Sequence, residues 1–374
     1  MGRPLETKPR RKSSTLIVLG NGASMGSLRF PKQSGLQESY TSIPSAQNFF
    51  YDAFTINPVL SPRNYYINFL AAMDELPYKI FAQAWGRKQN SIHDLKNINV
   101  EEVLTFFDIG EQMFKKGTEY QIAFSKAKEA LIDFIVFILW KKSKNQYCEY
   151  LLEIFSKLTP FDSIVSFNWD TIADFTLARL QNEQYKNYLN VLNENNLSAE
   201  KYIDKGLYLK LHGSINWAIC KNRKCKLYNQ PRLPFQRKNK NLPDYYLKSG
   251  RKCQVCGCNS INVCIVPPLS NKLIHKNQFL HKLWLIAREK LLNTKKIVFI
   301  GYSFPQTDFY SEWLFRQLNF MTSSRPEIVI INPDAQKSMS FTYKRYHNIF
   351  KGFKIKTYET LERYARTVSK TGKL

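Results

Sequence analysis

Thr15-Leu16-Ile17-Val18-Leu19-Gly20-Asn21-Gly22-Ala23-Ser24 is the stretch that decides the fold. A short apolar run with β-branched members fits a strand buried on both faces, and the glycines that follow it fit a tight turn into a helix. Comparable short strands are expected at Ser163–Phe167, Leu207–Leu211, Lys296–Ile300 and Glu327–Ile331. Helical or irregular sequence separates each from the next. That alternation predicts a Rossmann-like α/β fold, a mostly parallel sheet covered by helices.

Outward from the first strand, residues 1–14 form a basic N-terminal tail and residues 15–217 the first part of the Rossmann-like domain. A helical insertion over about 45–158 interrupts it. Within this insertion, Val100–Phe107 and Ala123–Trp140 carry apolar residues at helical spacing, which core packing explains. Residues 218–264 form a small zinc-binding module with a basic loop, and 265–374 complete the sheet domain, beginning with an amphipathic helix over Leu273–Leu292.

Seven cysteines are present, six of them between Cys220 and Cys264. That clustering suits a metal site better than a disulfide framework. Cys220 and Cys225 are separated by four residues, and Cys253 and Cys256 by two. Two such knuckles place four thiolates around one tetrahedral zinc, a closed and therefore structural site. Gly257 supplies the residue that accepts positive φ in the second knuckle. Cys258 or Cys264 could replace one of these ligands, and Cys148 reads as a core residue.

The chain has 374 residues, 44% of them hydrophobic, which excludes global disorder. Its formal charge is +25, a statement about polyanionic partners and solubility rather than fold. The apolar run Ala130–Trp140 is interrupted by Asp133 and is too short to span a bilayer. With no apolar secretory segment at the start, a cytoplasmic protein without membrane contact is expected. Between Lys221 and Lys252 Asp244 is the only acid, and Tyr228, Phe235, Tyr245 and Tyr246 are interleaved with the cations. Such a loop could bind a single-stranded nucleic acid, or remain a solvated loop of the module.

Ligands of open α/β sheets bind at the carboxyl ends of the strands. Four sequences follow expected strands there: the turn Gly20–Ser24, then Asn168-Trp169-Asp170, His212-Gly213 and Gly301-Tyr302-Ser303. The order and placement of these motifs resemble the sirtuin family, and more closely the sirtuin-like NAD-consuming effectors of bacterial antiviral defence. The likeness runs from about Thr15 to Asp334. It implies that Gly20, Gly22, Ala23 and Ser24 hold the NAD pyrophosphate. It further implies that Asn168 and Asp170 contact the nicotinamide ribose and carboxamide, that His212 is the general base, and that Gly301 and Ser303 lie near the adenosine half. The strand-end Asn332 would bind the adenosine ribose. The zinc module between the histidine motif and the late strands is also a feature of that family.

One segment departs from the deacylases of the family. Where they carry Gly-Ile-Pro-Asp-Phe-Arg, this chain continues Met25-Gly26-Ser27-Leu28-Arg29-Phe30-Pro31, and Phe30 or Phe49 would cap the nicotinamide pocket instead. Ile265-Val266-Pro267-Pro268 and the run from Gly301 to Asp308 look like the defence branch. The resemblance therefore implies an NAD+ glycohydrolase that depletes NAD, with a deacylase and a nucleic-acid-binding or nuclease component as alternatives. It also implies a homo-oligomer, a partner sensor or a hexameric ATPase; no phosphate-binding Gly-x4-Gly-Lys-Ser/Thr motif occurs in this chain. Asp170 could equally cap the helix that follows it, and an isolated histidine like His212 could be a satisfied core residue.

Overall fold

Strand β1 (Thr15–Leu19) is buried at every position after Thr15 and pairs in parallel with two neighbours, which places it at the centre of a sheet. The structure, a computed structural model, describes residues 14–25, 43–47, 49–50, 53, 75–85, 98–194, 197–198, 200–228, 230–233, 252–253, 255–259, 261–266, 277–322 and 325–374. The basic tail ahead of Ser14, Phe30, Pro267, Pro268 and most of the basic loop between Leu233 and Lys252 lie outside the described residues.

After β1 come α1 (Asn21–Met25), α2 (Glu75–Ala84), α3 (Val100–Met113), α4 (Glu119–Ser143) and α5 (Glu149–Ser156). The chain continues through β2 (Ser163–Ser166), α6 (Ile172–Leu180), α7 (Glu183–Asn193), β3 (Tyr208–Lys210), β4 (Gly213–Cys220) and β5 (Ile261–Ile265). It ends with α8 (Gln278–Leu292), β6 (Lys296–Ile300), α9 (Phe309–Arg316), β7 (Glu327–Ile331), α10 (Phe341–Ile349), β8 (Ile355–Tyr358) and α11 (Leu361–Thr371).

The main sheet has six parallel strands in the order β3-β2-β1-β6-β7-β8. This is the doubly wound arrangement, in which the order reverses between β1 and β6 and leaves a crevice at their carboxyl ends. Near-continuous apolar strands such as Ile297–Ile300 and Ile328–Ile331 are fully buried, as a sheet covered on both faces requires. β8 is the exception. Its Lys356 is exposed and it forms one edge, where a charged residue discourages pairing with another chain.

The helices between β1 and β2 do two different jobs. α3 and α4 form an antiparallel pair, capped by Asn99 and Thr118 and joined by the contact of Phe106 and Phe107 with Phe124. Their inner ends carry Val100, Glu101 and Leu139 to the crevice. α5 instead packs with α6 and α11. Cys148 is its N-cap, fully buried, with Sγ accepting from Leu151 N. None of the described helices is long and apolar enough to cross a membrane.

β4 and β5 form a separate antiparallel ribbon, running in register from Gly213↔Ile265 to Cys220↔Ile261 with a bulge between Ser214 and Ala218. The ribbon therefore starts directly after His212, closer to the sheet than the cysteine spacing alone indicated.

Candidate functional site: a cavity at the switch point

A cavity of about 480 Å³ opens where the order of the sheet reverses. Loops after β1, β2, β3, β6 and β7 all reach it, bringing Gly20, Gly22, Asn168, Asp170, His212, Gly301, Ser303 and Asn332 onto its wall. Ala23 and Ser24 lie just behind, both buried. Phe49, one of the two expected caps, also lines it.

Backbone packing closes the floor. Gly20 N donates to Ile300 O at 3.0 Å, Gly22 N to Gly301 O at 2.9 Å, and Gly301 N to Ile331 O at 2.9 Å. Gly301 has φ +62°, and a Cβ there would sit 2.2 Å from Ala23 N. Glycine is thus required because two turns interlock, one from each side of the reversal. Since Ala23 N also donates to Gly20 O, three amides of the first turn are already spent on protein carbonyls. The turn's first contribution is to shape the site.

Side chains then lock the β2 loop onto that turn. Asn168 Nδ2 donates to Gly20 O and to Ser24 Oγ, both at 2.9 Å, which leaves its Oδ1 as the atom to face a ligand. Ser24 Oγ donates to Asp170 Oδ2 at 2.7 Å, and Asp170 Oδ1 accepts from Ile172 N at 3.0 Å. Both carboxylate oxygens of Asp170 are therefore engaged, one on the first amide of α6 and the other bracing the turn. Burial pushes the Asp170 carboxyl above its ordinary value, against the opposing Lys210 charge, the Ile172 amide and the Ser24 hydroxyl. Below it, Lys210 Nζ is wholly buried and pairs with Asp174 at 2.9 Å, while Tyr188 and Tyr208 donate to the same Asp174. A buried pair so fully hydrogen-bonded fixes geometry more than it adds stability.

His212 is 3% exposed. Its ring meets Phe167 edge-on at 5.0 Å and lies 6.3 Å from that of Trp284, while its carbonyl accepts from Val266 N at the return of the ribbon. Its Nε2 stands 3.3 Å from Asp308 Oδ2. Four residues of loop and a helix start separate Asp308 from Ser303, so no local pattern marks it as a neighbour of His212. Glu101 was missed for the same reason. It arrives from the helical insertion and accepts from Thr307 Oγ1 at 3.4 Å.

One property of the wall was invisible in the composition. Among its described residues are the carboxyl groups of Glu101, Asp170, Asp308 and Asp334, and no lysine or arginine. At the adenosine end foreseen for Asn332, that side chain caps a short 3₁₀ turn by accepting from Asp334 N at 2.9 Å.

The second site is the cysteine cluster. The sulfurs of Cys220, Cys225, Cys253 and Cys256 all lie within 4.8 Å of one another. Cys220–Cys256 and Cys225–Cys253 are each 3.7 Å apart. A zinc–sulfur bond of about 2.3 Å gives a tetrahedron edge of about 3.8 Å, so these four thiols fit a metal such as zinc. Gly257 adopts φ +72°, as the knuckle requires. Cys264 is on β5 and is not one of the four gathered sulfurs; its buried thiol accepts from Asn277 Nδ2 at 3.8 Å. Cys258 Sγ remains adjacent, 3.0 Å from Cys256 and 3.4 Å from Cys220.

No protein-family model matches this chain, and no curated protein matches it. The likeness to sirtuins therefore rests on the motif residues themselves.

Proposed function

We propose that the switch-point cavity binds NAD+ and hydrolyses its nicotinamide–ribose bond, and that this activity depletes NAD as an antiviral effector. The observation that carries this reading is the convergence of Asn168, His212 and Asn332 on one cavity whose described wall is acidic and free of cations.

Cleavage sends the bonding electrons onto the ring nitrogen, giving neutral nicotinamide, and leaves positive charge on the ribose as an oxocarbenium-like centre. A negative wall favours both the cationic ring and that centre over neutral substrates. Asn168 Oδ1, aimed by the two hydrogen bonds from its Nδ2, orients the ribose hydroxyls or the incoming water. Water adds to the sugar carbon and its proton passes to His212 as general base. ADP-ribose, nicotinamide and one proton are the balanced products. Asn21 and Ser303 line the same cavity and offer the pyrophosphate neutral donors. Zinc at the four cysteines would contribute only structure, because four thiolates leave no open position.

Incubation with NAD+ followed by chromatography tests the proposal. Equal release of nicotinamide and ADP-ribose is expected, falling roughly 10²–10⁴-fold in His212→Ala and Asn168→Ala, with a folded protein in both by circular dichroism. Release that requires an acylated peptide, or turnover undiminished in both variants, would overturn it.

A further inference from the structure

Between Gly301 and α9 the chain makes a buried polar knot. Asp308 is 1% exposed and serves as N-cap of α9, its Oδ1 accepting from Ser311 N at 3.4 Å. Its Oδ2 accepts from Tyr302 Oη at 2.9 Å and stands 3.3 Å from His212 Nε2. Tyr302 in turn stacks on Phe167 at 4.7 Å, and Phe167 meets the His212 ring. Capping alone would need one carboxylate oxygen on the first turn of α9. It does not explain why the second oxygen is turned inward, toward a tyrosine hydroxyl and an imidazole beneath three aromatic rings.

We propose that Asp308 is the positioning residue of His212: its carboxylate holds the proton on Nε2, so that Nδ1 is the atom that takes the proton from water, and it stabilises the imidazolium that results. The proposal rests on the hydrolase reading for its kinetic consequence, though not for its structural one. A charge created in so dry a setting is costly unless a partner is already in place, and Asp308 is that partner. The arrangement of a base oriented by a buried carboxylate is general in proton-transfer chemistry. Tyr302 fixes the carboxylate, donating to the oxygen that faces the ring.

Asp308→Asn separates this role from capping, because asparagine caps a helix about as well as aspartate but carries no negative charge. The variant is expected to melt within a few degrees of the wild type and to keep its KM for NAD+, while kcat falls roughly 10²–10⁴-fold. ¹⁵N NMR of the histidine side chains, with the His212 signals assigned by their loss in His212→Gln, reads the tautomer without any substrate. The neutral ring of the wild type should carry its proton on Nε2, and Asp308→Asn should abolish that preference. A kcat within threefold of wild type in Asp308→Asn, or an Nδ1–H tautomer in the unmodified protein, overturns the proposal. The second of these decides the matter even if the variant fails to fold. Absence of NAD+ turnover in the wild type would instead sink the hydrolase reading, leaving the tautomer measurement to judge the pair.

Discussion

The two ends of β4 are held together by unlike means. At its start, beside His212, backbone carbonyls and amides of interlocked turns define a cavity. At its finish, Cys220 joins three other thiols, and one of the four, Cys256, is exposed. A wall of packed backbone is preorganised by the fold itself, whereas four thiols gathered at tetrahedral spacing, three of them buried, fit a shared metal ion. The acidic cavity and the cysteine knuckles should therefore fail independently under perturbation, and in different ways.

The largest effect is expected at the cysteine cluster. Cys225→Ser is expected to lower zinc from about one per chain to near none by elemental analysis, because losing a structural ligand forfeits much of the ~10–16 kcal/mol seen for small zinc modules. Limited proteolysis should then cut between Cys220 and Ile261 first, with the six-stranded sheet still protected. Full protection of that segment without zinc would show that packing, and not metal, holds the knuckles.

A pair of glycines sharpens the contrast further. Gly301 and Gly257 both have positive φ, +62° and +72°, but a Cβ at Gly257 meets nothing within 4 Å while one at Gly301 strikes Ala23 N. Gly257→Ala should cost about 1–2 kcal/mol, the backbone term alone, and Gly301→Ala about 3–5 kcal/mol in denaturant unfolding. Equal losses would mean that the two turns are not interlocked as described.

The smallest effect belongs to Asp170. Its folded pKa is raised, so its protonated form favours the native state; that contribution is complete below the unfolded aspartate value and is lost as pH rises through the folded one. Relative to Asp170→Asn, the wild type should therefore gain stability on acidification through this window and show no advantage at neutral pH. A wild type that loses ground to the variant on acidification would reverse the sign and point to a carboxylate stabilised by Lys210.

Much of this was legible in the chain. The five strands expected from short apolar runs are present, because a strand buried on both faces writes an unbroken apolar run. β8 escaped notice, since an edge strand such as Ile355–Tyr358 alternates with exposed residues and resembles an amphipathic loop. β4 was hidden by its bulge, which interrupts the period of two, and by the cysteines that dominate its end. The four cysteines were readable from spacing, while the remoteness of Cys264 needed the register of β4 on β5. Strand-end motifs announced Asn168 and His212. Asp308 and Glu101 could not be found that way, because they reach the cavity from a helix start and from an inserted helix, positions fixed only by packing. The charge of +25 gave no hint that the described residues of the cavity wall include four carboxyl groups and no lysine or arginine. Composition averages over a surface and says nothing of where its minority of acids gathers.

The most direct measurement is a crystal structure of the His212→Ala variant soaked with NAD+, in which slow turnover leaves the intact dinucleotide in place. The expected density lies in the switch-point cavity, with the nicotinamide riboside beside Asn168 and the adenosine ribose beside Asn332. An empty cavity at saturating NAD+, or the dinucleotide bound elsewhere on the chain, would contradict the account.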